Sequence, residues 1–164
     1  MNGTFRIVVG VDGSRQGQRA LDWAVAEAAA RDRAGRPAVV QAVMAWQGHP
    51  PAPAAGDRSG VPEPRKTPYA VVAAAVSAAG ASQPDVTVAG VAIEGPAADV
   101  LGRAADDADL LVLGDHGHGP RYGPALGSVT EACIRSAICP VVVIPTSRSS
   151  STTFAHEALA TTAG

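Results

Sequence analysis

What this chain has little of narrows it first. It carries one lysine, Lys66, and no Gly-Lys-Ser/Thr, which excludes a Walker-type phosphate loop with its cation at the β/γ-phosphates. Basic residues do not outnumber acidic ones. The formal net charge of −2 leaves no cationic footprint for nucleic acid. No polybasic stretch occurs, and no apolar run reaches the roughly 18 residues needed to span a bilayer, so membrane partners are not expected. The two cysteines, Cys133 and Cys139, are too few for a disulfide framework and lack the C-x-x-C redox spacing. They read as packing residues. Aromatic residues make up only 4% of the chain, so its core has to be built from Ala, Val and Leu. The N-terminus runs straight into a strand pattern without a charged leader, from which we expect no signal peptide and a cytoplasmic location.

What is present is a regular alternation. The runs at 6–11, 38–46, 109–114 and 140–145 are continuously apolar, the pattern of strands buried on both faces, and 86–93 is a weaker fifth. Between them lie helical patterns. Leu21, Ala24, Val25 and Ala28 mark one face of a helix over about 15–34, stopped by Gly35 and Pro37. Val71, Val72, Ala75 and Val76 mark a second that ends near Gly80, and Pro96 opens a third with Val100, Leu101 and Ala104 inward. Residues 128–137 make a fourth. This βαβαβαβαβ order predicts an α/β fold with a parallel sheet and helices on both faces, wound in two directions. One nucleotide-binding-sized domain over 1–146 is expected, with 47–68 a Pro/Gly-rich surface loop or lid and 147–164 a polar, disordered tail. A short helix around 156–160 is possible within that tail.

The chemistry concentrates after the fourth strand, in "GDHGHGPRYGPALGSVTE". Gly114 and Gly117 are followed by Gly127 and Ser128, and a helix begins there. Ser128-Val-Thr-Glu131 reads as a capping box with Ser128 as the N-cap and Glu131 reaching back. The first amides of a helix lack intrahelical partners, so a phosphate can rest on the amides of Val129 and Thr130, aided by the Ser128 and Thr130 hydroxyls. Glycine at 114, 117 and 127 would permit close approach, or a turn with φ > 0. Hydrogen bonds to a charged group are worth roughly 1.5–3 kcal/mol each, enough in a handful for micromolar binding. A tight surface loop before an ordinary capped helix is the alternative. His116 and His118 lack the further ligands of a structural zinc site and read as solvated or phosphate-contacting imidazoles; no resident metal site is expected. Asp12, in "VDGS", could simply cap its turn.

These motifs carry a resemblance over about residues 6–145. The chain resembles the universal stress protein family, specifically its ATP-binding branch, whose G-x2-G-x9-G-[ST] motif is met by Gly114, Gly117, Gly127 and Ser128. "IVVGVDGS" resembles that family's first strand and turn, and "GSVTEACIRSAICPVVVIP" its closing helix and strand. The resemblance implies a flavodoxin-like, Rossmann-like five-stranded parallel sheet of order 3-2-1-4-5. It implies an adenine pocket lined by Gly10, Val11, Val43 and Leu113, with Asp12 facing the ribose or a metal ion. Phosphates would lie on Gly114, Gly117, His118, Gly127, Ser128, Val129 and Thr130. The implied ligand is ATP with Mg2+ or Mn2+, and the last strand, 141–144, is expected to pair across a homodimer. Asp115 departs from the small hydroxyl residue frequent at its position; its carboxylate would point away, bind the metal, or disfavour ATP against a less charged ligand. Three functions stay open: a nucleotide-binding stress regulator, a slow ATPase or phosphotransferase, and an interaction module that binds no nucleotide. No constellation singles out a catalytic residue, which ranks binding above turnover.

Overall fold

The computed structural model of the chain describes residues 3–48, 67–117 and 126–146. Through them run β1 (Phe5–Gly10), α1 (Arg15–Arg33), β2 (Ala38–Trp46), α2 (Pro68–Gly80), β3 (Thr87–Glu94), α3 (Ala97–Ala105), β4 (Leu110–Gly114), α4 (Ser128–Ser136) and β5 (Val141–Ile144). All the ladders are parallel and the sheet order is β3-β2-β1-β4-β5, the α/β arrangement expected. From β1 the chain winds outward through β2 and β3, then crosses back to β4 and β5 on the other side. Winding reverses between β1 and β4, which opens a crevice beyond their carboxyl ends.

Helices cover both faces. Ile7 and Val9 of β1, Val40 and Ala42 of β2 and Val112 of β4 share one cluster with Leu21, Ala24 and Val25 of α1 and Val72 of α2. Val8, Val43, Leu111 and Leu113 form the opposite cluster with Val100 and Leu101 of α3 and Cys133 of α4. Successive residues on a strand point to opposite sides, so a strand covered on both sides must be apolar throughout. Burying each Val, Leu or Ile contributes roughly 1.5–3 kcal/mol. Cys133 is fully buried among them, the packing role expected of it.

Local signals set the helix ends. Ser14 caps α1 by accepting the Gly17 N–H at 3.0 Å, and Gly35 leaves the helix at φ +73. Thr67 caps α2 through Ala70 N–H at 3.2 Å, with Pro68 in the first turn.

One expectation is corrected. The last apolar run predicts a strand buried on both faces, yet every residue of β5 is only half-buried. Position explains it: β5 pairs with β4 alone and forms one edge of the sheet. Residues 49–66 of the Pro/Gly-rich stretch lie outside the described residues. So does everything from 147 onward, including the tail helix expected at 156–160.

Candidate functional site

Two turns meet at the switch point. The first leaves β1. Gly13 takes φ +82, a left-handed conformation suited to glycine, and swings the chain into α1. Asp12 Oδ1 accepts the Ser14 N–H at 2.9 Å, the turn-capping role open to it from sequence. The same carboxylate also reaches across the crevice, because a Cβ on Gly117 would lie 2.5 Å from Asp12 Oδ2. Asp12 thus ties its own turn and faces the second one.

The second turn leaves β4 at Gly114. Its two ends are joined by the Gly127 N–H, which donates to the Asp115 carbonyl at 2.8 Å. Residues 118–125 lie outside the described residues, so His118 is not placed. The glycines serve a different purpose from one expected above. Among the described residues only Gly13, Gly35 and Gly95 have positive φ, so a left-handed turn is not the reason for glycine at 114, 117 or 127. Crowding is the reason at two of them. A Cβ on Gly114 would sit 2.9 Å from Gln16 Cβ and 3.1 Å from the Gln16 carbonyl carbon, so this glycine lets α1 lie against β4. Gly117 makes room for the Asp12 carboxylate. A Cβ on Gly127 would make only ordinary contacts with the described residues, 3.4 Å to the Asp115 carbonyl oxygen, so none of these imposes a glycine there.

The start of α4 also differs from the capping box read in the sequence. The N-cap is Gly127, Ser128 is the first helical residue, and no side chain caps this end. Glu131 does not reach back; its carboxylate pairs with Arg135 one turn on. A serine inside the first turn cannot act as the cap, because the cap needs the extended backbone that Gly127 has (ψ 148). Thr130 is buried, and its hydroxyl donates to the Gly114 carbonyl at 2.9 Å, bolting α4 to the end of β4. Its first task is structural, where the sequence suggested a phosphate contact.

Asp115 points away from the crevice. Its carboxylate oxygens accept the Thr146 N–H and hydroxyl, each at 2.7 Å. Burial pushes this carboxyl upward, but the two Thr146 bonds and the neighbouring His116 outweigh it and hold it below its ordinary value. His116 Nδ1 lies 3.5 Å from Asp115 Oδ1, a charge–dipole attraction and not a formed hydrogen bond.

A cavity of about 290 Å³ occupies the crevice. Part of its lining is apolar: Val11 and Gly10 leaving β1, Val43 on β2, Leu113 on β4 and Val129 on α4. Another part consists of polar and glycine residues: Asp12, Gly114, Gly117, Gly127, Ser128 and Thr130. All of these were singled out from sequence. His116, read from sequence as a solvated or phosphate-contacting imidazole, lines it as well, and so do Gly17, Ala45, Ala97 and Leu101, which were not assigned to the site. Ala45 shares the pleat face of Val43 at a two-residue spacing, and Ala97 and Leu101 are one helical turn apart, so periodicity held the signal. Gly10 shapes the floor, since a Cβ there would meet Leu113 Cδ2 at 2.7 Å and Leu101 Cδ1 at 3.1 Å. Mainly apolar, with a carboxylate, glycines and a helix start among its lining, the space suits a flat ring joined to an anion. Among the described residues no three His, Cys, Asp or Glu side chains gather to hold a metal ion. A cation would have to be shared between Asp12 and the ligand's oxygens. One carboxylate with phosphate oxygens is a donor set that suits Mg2+ or Mn2+.

Residues 4–145 match the sequence profile of the universal stress protein family. No curated protein matches the chain. Among solved structures it is similar to a universal stress protein in complex with cAMP, at 28% identity and a TM-score of 0.64, over 88% of this chain and 98% of that one. A universal stress protein family member from Burkholderia pseudomallei is 27% identical with a TM-score of 0.52, over 86% and 96%. The Archaeoglobus fulgidus universal stress protein in complex with dAMP shares the fold at 21% identity and a TM-score of 0.55, over 87% and 98%. The profile spans the sheet from before β1 to just past β5, and the strand order agrees with it. This chain therefore belongs to the universal stress protein family.

Proposed function

We propose that this protein binds an adenine nucleotide in the crevice between β1, β4 and the start of α4, and acts in stress response as a nucleotide-dependent regulator. One observation carries the reading: the eleven described residues picked from sequence for ring and phosphates all line one cavity, apolar side chains together with glycines and the start of a helix. The base would lie on Val43, Leu113 and Val129, and the phosphate on the main chain of Gly117, Gly127 and the first turn of α4. ATP is the proposed ligand. The described lining contains no Lys or Arg, so its polyphosphate would bring Mg2+ or Mn2+, held in part by Asp12; bound there, the cation would neutralise phosphate charge. Similarity to the cAMP-bound universal stress protein supports an adenine nucleotide as the ligand class.

Regulation is favoured over turnover by the same lining. Asp12 and His116 are its only described side chains able to take a proton from an attacking water, and no described cation faces the transferred phosphoryl group. Two further proposals follow from the surface. β5 is a half-buried edge strand, and Ile134 and Ile138, ahead of it in the chain, are 45% and 76% exposed; such an apolar edge suits pairing across a homodimer. Cys133 and Cys139 are free thiols, consistent with a cytoplasmic protein. Among the described residues no helix is long and apolar enough to cross a membrane.

The test is direct. Freshly purified protein, denatured and analysed by mass spectrometry, is expected to release an adenine nucleotide. Calorimetric titration with magnesium-ATP, AMP and cAMP then ranks the ligands. Protein that releases no nucleotide and gives no heat with any of the three refutes the reading and leaves the interaction module. Timed ADP release, if it reached ordinary enzyme rates, would favour the ATPase.

A further inference from the structure

Four hydrogen bonds converge on Asp115 from three parts of the chain. Its N–H donates to the Ile144 carbonyl at 3.1 Å, at the end of β5. Its carbonyl accepts the Gly127 N–H at 2.8 Å, at the N-cap of α4. Its carboxylate takes both the amide and the hydroxyl of Thr146, beyond β5, at 2.7 Å each. Any residue could make the two main-chain bonds. Only a side chain of this length with an acceptor for the Thr146 amide and a second polar atom for its hydroxyl can hold both Thr146 groups.

Neither Asp115 nor Thr146 lines the cavity, yet both neighbours of this clasp do. His116 and Gly117 follow it directly, and Gly127 is bonded to it. Beside the Thr130 bond to Gly114, the gap between Gly117 and the first amides of α4 therefore depends on the orientation of one residue, and the Thr146 clasp helps to hold that orientation. From this the geometry points to Asp115 and Thr146 as positioning residues. They fix the amide cradle at the spacing that a phosphate requires, and they join the ligand crevice to the end of the edge strand β5. The inference rests on the adenine-nucleotide reading above and adds a pair of residues to it that never touch the ligand. Its consequence is selective: the clasp governs the phosphate side of the cavity, whereas Val43, Leu101 and Leu113, on β2, α3 and β4, hold the ring side independently of it.

The experiment compares AMP and magnesium-ATP with adenosine, by calorimetry on the full chain. Asp115→Ala is expected to weaken both nucleotides about tenfold, the loss of roughly one charge-assisted hydrogen bond's worth of preorganisation, and to leave adenosine within about twofold. Thr146→Val, which keeps the Thr146 amide and removes the hydroxyl, should show the same selectivity at about threefold. Thr146→Ser should restore wild-type affinity, and so should Asp115→Asn in large part, because its amide can serve both Thr146 groups once the hydroxyl turns. The double variant Asp115→Ala/Thr146→Val should be no worse than Asp115→Ala alone. If nucleotide and adenosine weaken together, if Thr146→Ser behaves as Thr146→Val does, or if the two losses add, the inference is wrong while the site reading stands. Wild-type protein that binds nucleotide no better than adenosine overturns the site reading, and this inference with it. Should Asp115→Ala fail to fold, the Thr146→Val and Thr146→Ser pair decides the matter alone.

Discussion

Adding one methyl group at Gly117 tests the meeting of the two turns. In Gly117→Ala the new Cβ would fall 2.5 Å from Asp12 Oδ2, inside the 3.0 Å that real Cβ contacts respect. The next nearest atom, Asp12 Cγ, is 3.7 Å away, so a single oxygen obstructs the methyl and the carboxylate must turn. Turning it strains or breaks the bond from the Ser14 N–H to Oδ1, now 2.9 Å. A hydrogen bond to a charged acceptor is worth about 1.5–3 kcal/mol, and partial loss puts the expected destabilisation at about 1–2 kcal/mol. Deleting the obstruction should delete the penalty. In an Asp12→Ala background the same Gly117→Ala change is expected to cost within about 0.5 kcal/mol. Urea unfolding of wild type, both single variants and the double variant measures the coupling, expected at about 1–2 kcal/mol. Magnesium-ATP titrations of the same four proteins should show affinity falling in both single variants. Additive stabilities, with a coupling under about 0.3 kcal/mol, would mean that Asp12 does not stand over Gly117 in solution, and the crevice described here would be wrong.

Two further expectations concern the far side of the loop. The Asp115 carboxyl is held below its ordinary 3.8, so its clasp contributes stability at every pH above that value and loses it only as pH falls through the depressed one. The stability difference between wild type and Asp115→Asn should therefore stay constant from about pH 7 to pH 5 and shrink at stronger acid; fading between 7 and 5 in denaturant melts would contradict the clasp. Val142 lies at the middle of the half-buried edge strand, and Val142→Lys places a charge where a second copy would pair. Light scattering should then report a shift from dimer toward monomer, and an unchanged mass rejects β5 as the interface.

Much of this protein is legible without coordinates, for a physical reason. A parallel sheet covered on both sides demands strands that are apolar at every position, and Ile7-Val8-Val9 and Leu111-Val112-Leu113 have no other comfortable place. The alternation with helices makes a doubly wound sheet the commonest arrangement, the family resemblance implies its strand order, and the switch point of that order puts the loop after β4 beside the turn after β1. Chain order and side-chain chemistry were enough to bring Asp12, Gly117 and Ser128 to one crevice. Their individual tasks were not legible. Gly114 faces the backbone of α1 and Thr130 bonds the end of β4, contacts made by elements distant in sequence. The cap of α4 shifted by one residue, because backbone conformation and not side-chain identity decides where a helix starts. β5 reads like a core strand and stands at an edge, since nothing in four apolar residues tells how many neighbours they will have. Asp115 is the sharpest case. From the sequence its carboxylate could have faced the phosphates, whereas its partner is Thr146, 31 positions away, reached only after a helix and a strand have folded back beside it. The chain's own pattern determined the layers and the crevice; packing between distant segments decided which atoms face it.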